Sequence, residues 1–231
     1  MSFKRIVVLT GAGVSAESGL STFRDAGGLW EGYDVYEVAS PQGWKKNPEV
    51  VLRFYNERRR QLEHVQPNDA HIAIAKLQEK YDVTIITQNV DNLHERAGSK
   101  DVLHLHGELT KAKSTLPPYN VYDIGYTDIN WGDMCEKGGQ LRPNIVWFGE
   151  PVPLITDAAT IAGTADIFIV VGTSLVVYPA ASLIDYVRRD ALKYIIDPNK
   201  PEINSYHKNL EFITEKATVG MVPLAEKLLS I

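Results

Sequence analysis

The chain has 231 residues, of which 44% are hydrophobic and 23% are charged, so it can bury one substantial core and carry a smaller appended domain. A formal net charge of −5 gives no global attraction to nucleic acid or to an anionic membrane. No apolar run approaches the roughly 18 residues that span a bilayer, and the start lacks a secretory signal pattern, so we expect a cytoplasmic monomer that binds neither nucleic acid nor membrane.

The first predicted element is a buried strand at residues 6–10, which runs into Gly11, Ala12 and Gly13 and then into a helix start at residues 14–19. Small residues in such a turn let the backbone approach a phosphate, and the helix N-terminus offers N–H donors. The alternative is a tight turn that needs glycine only for its backbone, because Ala16 replaces the third glycine of the full dinucleotide pattern.

A long insertion follows this first unit. Residues 22–28 form a loop whose aromatic Phe23 and cationic Arg24 suit closure over a phosphorylated, ring-containing ligand, although an ordinary salt-bridged connector is the alternative. Residues 26–66 are aromatic and partly helical, with apolar spacing that predicts a helix at 48–63. This stretch fits a sheet poorly and is predicted to be an insertion.

Polar side chains follow the next strand. A helix is predicted at residues 69–80 and a buried strand at 83–86, after which come Gln88, Asn89 and Asp91. Open α/β sheets bind ligands at this edge, and an amide beside a carboxylate can hold a carboxamide. The alternative is that these side chains cap a helix at residues 92–97, although one would suffice for capping.

Two histidines come next. His106 is predicted to close a second strand just before Gly107 and to face a cleft, with His104 on the same face deeper in the strand. A lone histidine is usually structural. Here the position beside the ligand edge favours catalysis, because imidazole suits proton removal near neutral pH.

The rest of the chain contains a second insertion at residues 110–139 and then returns to strands and helices. Strands are predicted at 166–171 and 193–196, and helices at 180–189 and 222–229. The first of these strands ends in Gly172-Thr173-Ser174, whose hydroxyls suit phosphate or ribose, and the second in Asp197-Pro198-Asn199. Strands separated by helices predict an α/β fold with a mostly parallel sheet.

Five motifs, in this order and spacing, resemble those of the sirtuins, the NAD-dependent protein lysine deacylases. They are Gly11-Ala12-Gly13-Val14-Ser15, Phe23-Arg24-Asp25, Thr87-Gln88-Asn89-Val90-Asp91, His106-Gly107 and Val146-Trp147-Phe148-Gly149-Glu150. The match covers nearly the whole chain. It implies a Rossmann-like large domain with helices on both faces at about residues 1–25, 67–109 and 141–231. It also implies a small domain made of a helical part, about 26–66, and of about 110–140.

The resemblance further implies that NAD is consumed as a co-substrate and that the partners are acyl-lysine proteins. The acyl oxygen attacks the nicotinamide ribose, nicotinamide leaves, and His106 accepts a proton from a ribose hydroxyl. The products are free lysine, nicotinamide and O-acyl-ADP-ribose. By residue matching, Asn89 and Asp91 with Ser18 line the nicotinamide pocket.

Other implied roles fall on residues along the whole chain. Gln88 would contact ribose, Phe23 would shield the reacting face, and either Asp197 or Asn199 would contact the adenosine ribose. His106 and Asn89 are the expected catalytic residues. The remaining expected cofactor-binding residues are Gly11, Ala12, Gly13, Ser15, Arg24, Gly172, Thr173, Ser174 and Ala217.

A finer feature concerns the acyl group. Tyr55 and Arg58 stand three residues apart and so share one helical face, where a hydroxyl and a guanidinium can hold a carboxylate. They resemble the Tyr-x-x-Arg pair of sirtuins that remove succinyl and malonyl groups, and Ala39 falls where those enzymes keep the acyl pocket wide. We therefore expect a desuccinylase and demalonylase, with deacetylation as a further activity. The alternative is a core tyrosine beside a solvated arginine run.

The resemblance also implies where the peptide binds. Residues 146–150 would form a strand that pairs with the substrate backbone, with Val146, Phe148 and Gly149 in contact with substrate.

The chain departs from the family between His106 and Leu141, where most sirtuins carry two cysteine pairs that bind zinc. Cys135 is the only cysteine, which excludes an all-cysteine zinc site within one chain. We predict a protein without zinc or another metal, whose small domain is stabilised instead by a buried aromatic cluster. The expected members are Tyr119, Tyr122, Tyr126 and Trp131.

Three other functions stay open at this point. One is an NAD-binding sensor or scaffold with weak catalysis, against which the intact His106, Asn89 and Asp91 argue. Another is protein mono-ADP-ribosyl transfer. A conventional NAD dehydrogenase fits least, because the glycine pattern is incomplete.

Overall fold

A computed structural model describes residues 4–20, 29–30, 32–175, 177–201 and 207–231. The strands in chain order are β1 (Arg5–Thr10), β2 (Leu29–Trp30), β3 (Tyr33–Asp34), β4 (Asp82–Thr87), β5 (Val102–His104), β6 (Gly107–Ser114), β7 (Val121–Asp123), β8 (Leu141–Ile145), β9 (Ile167–Val171), β10 (Leu192–Ile196) and β11 (Leu210–Ile213). The α-helices are α1 (Ala12–Ala16), α2 (Val35–Val38), α3 (Pro41–Lys46), α4 (Pro48–His64), α5 (Asp69–Lys76), α6 (Leu93–Arg96), α7 (Ile155–Gly163) and α8 (Ala217–Ser230). None of the helices in the described ranges is long and apolar enough to cross a membrane.

The main sheet has six parallel strands in the order β11-β10-β9-β1-β4-β5. From β1 the chain crosses first to β4 on one side, and later continues through β9 on the other side. The order therefore reverses at β1, and the carboxyl ends of β1, β4 and β9 border the crevice where such sheets bind ligands.

Both faces of the main sheet are buried. Ile6 and Val8 of β1 pack in one apolar cluster with α5 and α8. Val7 and Leu9 pack on the opposite face with α7 and the 3₁₀ helix Ala180–Tyr186. Because both faces are covered, the strands read as continuous apolar runs, and the predicted α/β class with a mostly parallel sheet and helices on both faces is confirmed.

The remaining elements form a separate apolar cluster. The antiparallel sheet β7-β6-β8 packs against α4, with Phe54 and Tyr55 of the helix buried among Leu109, Ile145 and Trp147. The helix begins where predicted, because the Asn47 side chain accepts the Val50 N–H and Pro48 occupies the first turn.

Several predicted helix bounds need correction. Helix α5 ends at Lys76 and continues as the 3₁₀ helix Leu77–Glu79, and the helix predicted at 180–189 is the 3₁₀ helix Ala180–Tyr186. The helix predicted at 222–229 is the second half of α8, which begins at Ala217 and contains Pro223. Pro223 lies inside α8 and removes one backbone hydrogen bond there, and the helix continues on both sides of it.

Two predicted strands are wrong at their ends. Strand β5 ends at His104, and His106 lies in the turn before Gly107, whose φ of +83° starts β6 in a new direction. The stretch 146–150 is a loop after β8, closed by a bond from the Glu150 N–H to the Trp147 carbonyl. An apolar run alone could not reveal these turns.

The predicted aromatic cluster at 119–131 is also wrong. Tyr119 and Trp131 are 52% and 56% exposed, and Tyr122 hydrogen-bonds Glu136. Tyr126 packs instead with the α4 cluster. Strand pairing of β6 with β7 and β8 orders this segment, a long-range effect that aromatic composition does not predict.

Candidate active site

The two glycine turns that follow β1 and β9 lie against each other. The Gly13 N–H donates to the Gly172 carbonyl at 2.9 Å, and a Cβ on Gly172 would come within 2.3 Å of the Val14 nitrogen. Gly172 has a φ of +63°, and a Cβ on Gly11 would come within 2.6 Å of the Thr173 Cβ. The close contact of the two turns and the positive φ are enough to explain why glycine is needed at these positions. Phosphate binding by the turns stays a prediction.

Asn89, Ser15 and Asp91 form a buried hydrogen-bond chain at the ends of β1 and β4. The Asn89 amide nitrogen donates to Ser15 Oγ at 3.0 Å and to the Gly11 carbonyl at 3.1 Å. Ser15 Oγ in turn donates to Asp91 Oδ2 at 2.9 Å. These hydrogen bonds hold the Asn89 side chain with its Nδ2 toward the turn after β1. No described residue donates to the Asn89 Oδ1.

Asp91 is held from two sides. Its Oδ1 accepts the Leu93 N–H at 3.1 Å, so Asp91 satisfies the first N–H of α6 from the position just before the N-cap residue Asn92. Burial raises the pKa of the Asp91 carboxyl, against the lowering effect of the Leu93 and Ser15 hydrogen bonds. Asp91 is therefore a carboxyl group only 6% exposed that is bonded both to the start of α6 and to Ser15.

His106 has one ring nitrogen anchored. Its Nδ1 lies 3.0 Å from the Gln88 carbonyl oxygen, which can only accept, so Nδ1 carries the proton and Nε2 keeps its lone pair. Burial lowers the pKa of His106, partly offset by the Gln88 hydrogen bond. The lowered pKa favours the neutral ring, whose Nε2 has a lone pair that can accept a proton.

Gln88 connects the ends of β4 and β9. Its amide nitrogen donates to Thr173 Oγ1 at 3.2 Å, and its backbone N–H donates to the Thr10 carbonyl at 2.9 Å. Ser174 follows Thr173 and is half-buried. The structure therefore places Gln88 next to the Gly172-Thr173-Ser174 turn, because β4 and β9 end at the same edge of the sheet.

The residues expected at the adenosine end lie around β10 and α8. Asp197 follows β10, and its carboxylate accepts the Asn199 backbone N–H at 2.9 Å. The Asn199 side chain is exposed. Ala217 is buried at the first position of α8, in the cluster that contains Ile196. The carboxylate of Glu17 accepts from the Thr218 N–H and hydroxyl there, both at 2.9 Å.

The other expected cofactor residues divide into described and undescribed ones. Ala12 is the first residue of α1, and Ser18 accepts from the Asn68 amide at 2.9 Å, which also donates to the Val14 carbonyl. Phe23 and Arg24 lie outside the described residues.

Behind Asn89 lies a buried hydrogen-bonded group that was not predicted from the sequence. Thr10 Oγ1 donates to Thr87 Oγ1 at 2.8 Å, and Thr87 Oγ1 accepts the Asn89 N–H at 3.0 Å. The His94 Nε2 lies 2.9 Å from Thr10 Oγ1, and burial holds the pKa of His94 well below its usual value. The available signal was a threonine at the last position of both buried strands.

The expected acyl-binding residues lie on α4 and α2. Tyr55 is fully buried, and its hydroxyl accepts from Trp147 Nε1 at 3.0 Å. Ala39 is buried in the same cluster, and the Arg58 guanidinium lies 5.2 Å from the Phe54 ring centroid. Trp147 was not singled out as a site residue, although its motif was.

The expected peptide-binding residues lie in the loop after β8. The Val146 N–H donates to the His106 carbonyl and the Phe148 N–H to the Ala39 carbonyl, both at 2.9 Å. Phe148 is 40% exposed, and Gly149 has a φ of +90°. The loop thus connects the His106 turn to the acyl-binding residues.

Among the residues that the structure describes, no three His, Cys, Asp or Glu side chains come together to form a metal site, and this includes segment 110–140. Cys135 accepts from the Ser114 hydroxyl and the Gly139 N–H instead. Gln140 ties the loop by donating to the Asn130 and Leu141 carbonyls.

Comparison with known proteins points to one family. The family model described as "Sir2 family" matches residues 11–179. A Helicobacter pylori protein named NAD-dependent protein deacylase is 55% identical over 228 residues, which are 99% of this chain and 97% of that protein. A Bacteroides thetaiotaomicron protein of the same name is 51% identical, over 98% of both chains.

A solved structure agrees with these relatives. The crystal structure of a Sir2 homolog–NAD complex has a TM-score of 0.87 and 40% identity, and the match covers 99% of this chain and 90% of that chain.

Proposed function

We propose that this chain, which belongs to the Sir2 family and is an NAD-dependent protein deacylase, prefers lysines that carry a succinyl or malonyl group. The observation that carries the proposal is the placement of Tyr55 and Arg58 one turn apart on α4, with Ala39 in the same buried cluster as Tyr55. A phenol and a guanidinium on one helical face suit a carboxylate better than they suit an acetyl methyl group.

The residues at the sheet edge fit NAD as co-substrate. Asp91 and Asn89 are 6% and 8% exposed, and polar groups buried so deeply need partners that a carboxamide can supply. Asn89 Oδ1 can accept from the nicotinamide amide, while Ser15 and Asp91 hold Asn89 in position. NAD supplies an electrophilic ribose carbon when nicotinamide departs. We further propose that Gln88 and the Gly172-Thr173-Ser174 turn hold the ribose and phosphates.

His106 is proposed as the general base. Its Nδ1–H is bonded to the Gln88 carbonyl, so its Nε2 can accept a proton from a ribose hydroxyl. A positioned base typically contributes 10²- to 10⁴-fold to a rate. The hydroxyl oxygen would then attack the carbon of the imidate that forms when the acyl oxygen bonds to ribose C1′. One water would add and the C–N bond to lysine would break, which yields O-acyl-ADP-ribose and free lysine.

The acyl-lysine is proposed to enter between the Rossmann-like domain and the small domain, divided at the boundaries given above. The core around Tyr55 is distinct from the two clusters of the main sheet, and the loop of Val146, Phe148 and Gly149 runs between them. Phe148 and Gly149 are exposed, so a peptide can lie along this loop, and pairing with the substrate backbone is the proposed mode of binding.

Arg58→Met tests the acyl preference. Loss of a charge-assisted hydrogen bond of roughly 1.5 to 3 kcal/mol should lower kcat/KM for a succinyl-lysine peptide by about 10- to 150-fold and leave the acetyl peptide of the same sequence little changed. The matched control is Arg53→Met, an exposed arginine on the same helix, which should not alter the succinyl-to-acetyl ratio. An unchanged succinyl kcat/KM in Arg58→Met would refute the preference.

We also propose that the small domain holds no zinc. Cys135 is engaged with Ser114 and Gly139, and strand pairing with Gln140 bonds connects the segment that zinc would otherwise order. Elemental analysis of the purified protein should find well under one zinc per chain, and a chelator should leave its melting temperature unchanged. About one tightly bound zinc per chain would contradict this proposal.

A further inference from the structure

The hydroxyl of Tyr55 has a fixed direction in this fold. Its oxygen accepts from Trp147 Nε1 at 3.0 Å, and the side chain is fully buried. No described residue accepts the hydroxyl's own hydrogen. Since the indole N–H can only donate, the Tyr55 hydrogen must be directed away from Trp147.

Trp147 itself is held tightly from several sides. Its backbone N–H donates to Glu150 Oε2 at 2.8 Å, and the Arg142 guanidinium lies 3.4 Å above the indole. Arg142 makes a bidentate pair with the same Glu150 carboxylate, at 2.8 and 3.0 Å, and donates to the Ile145 carbonyl. The bidentate pair fixes Arg142 relative to Glu150, and these two residues hold Trp147 through its backbone N–H and the face of its ring.

Burial raises the pKa of Tyr55 strongly, so the phenol keeps its proton at all working pH values. The protonated Tyr55 hydroxyl thus accepts a hydrogen bond from Trp147, while no described residue accepts its own hydrogen. A buried hydroxyl hydrogen without an acceptor is costly, which favours a ligand with an acceptor at this position.

We propose that Trp147, held by the Arg142–Glu150 pair, is a specificity-determining positioning residue that directs the Tyr55 hydroxyl hydrogen toward the terminal carboxylate of the acyl group. The proposal rests on the function proposed above. Trp147 acts through Tyr55 and does not itself touch the acyl carboxylate. The simpler possibility is that Tyr55 only satisfies a buried indole, and the two make different predictions for acyl selectivity.

The test measures kcat/KM for succinyl- and acetyl-lysine on one peptide sequence in wild type, Trp147→Phe, Tyr55→Phe and the double variant. Trp147→Phe keeps a ring but removes the donor, and should lower the succinyl-to-acetyl ratio by about 3- to 10-fold, mainly through the KM for the succinyl peptide. Because Trp147 acts through the Tyr55 hydroxyl, the double variant should show the same ratio as Tyr55→Phe alone.

Two further variants separate this role from a packing defect. Trp44→Phe changes the indole that packs 5.7 Å from the Trp147 ring and should leave the ratio at the wild-type value. Glu150→Gln loosens the Arg142 pair without altering the buried ring and should lower the ratio in the same direction as Trp147→Phe. Melting temperatures show whether each variant is folded.

The outcomes are distinguishable. Equal losses for both acyl groups in Trp147→Phe, or additive losses of the ratio in the double variant, would overturn the inference. If Arg58→Met lowers the ratio and Trp147→Phe does not, only this inference fails. If Arg58→Met leaves the ratio unchanged, the proposed acyl preference fails with it.

Discussion

At the scale of single residues, neighbouring histidines have different protonation behaviour because their partners differ. His106 donates to a carbonyl, and burial lowers its pKa. His104 is also buried, which alone would lower its pKa, but the hydrogen bond and charge of Glu95 raise it. Of these two histidines, only His106 has an Nε2 for which no described residue is a partner, which supports its proposed role as the base.

The lowered pKa of His106 predicts the acid side of the pH profile. A general base must be neutral, and a group with a lowered pKa stays neutral to more acidic pH. The acidic limb of kcat/KM should therefore lie below the ordinary histidine value of about 6.5. His64→Gln, which changes an exposed histidine at the end of α4, should leave the limb in place. A limb at or above pH 7 would contradict the assigned environment.

The sequence indicates the candidate site residues but not their contacts. Asn89, Asp91, Ser15 and His106 stand at or after strand ends and in motifs that resemble those of the family. The bonds among them join loops far apart in the chain, 74 residues for Asn89 to Ser15, so local patterns could not reveal them. The same reason hid Trp147, whose partner Tyr55 lies 92 residues away.

At the scale of elements, the two glycine turns determine how β1 and β9 end together. Gly172 has both a positive φ and no room for a Cβ, so any side chain would separate the turns. Thr173, which accepts from Gln88, is the next residue. Disturbing one turn should therefore affect both folding and the cofactor site.

Gly172→Ala is expected to destabilise the protein by more than about 1 kcal/mol and to weaken NAD binding, because alanine does not fit this backbone conformation. Gly163→Ala is the matched control, since a Cβ there makes only an ordinary 3.6 Å contact with the Tyr186 carbonyl. Urea unfolding and NAD titration measure the two effects. Equal stability and NAD affinity in both variants would show that the close approach of the turns is not needed.

The strands of the main sheet were predictable because both faces are buried and each strand is a continuous apolar run. The incorrect strand ends are at positions where contacts between distant parts of the chain determine the backbone conformation. The turn at His106 depends on Gly107 and on pairing with β8, and the loop after β8 depends on the Glu150 bonds. Neither contact leaves a periodic signal in the sequence.

At the scale of the whole molecule, the main sheet carries the proposed cofactor edge, and the cluster around α4 carries the proposed acyl-binding residues. The His106 turn and the loop after β8 join the two, through the bond between Val146 and His106. The family relationship was predictable from motif order, whereas the way segment 110–140 folds was not. Its order comes from β6, β7 and β8 and not from an aromatic cluster.

The measurement that tests the account most directly follows both products of one reaction. The protein is incubated with NAD and matched peptides bearing succinyl-, malonyl- or acetyl-lysine, and mass spectrometry quantifies nicotinamide and deacylated peptide. The account predicts one nicotinamide released per lysine deacylated, with higher kcat/KM for the succinyl and malonyl peptides than for the acetyl peptide. Nicotinamide release with a mass gain on protein, or NAD binding without turnover of any peptide, would contradict it.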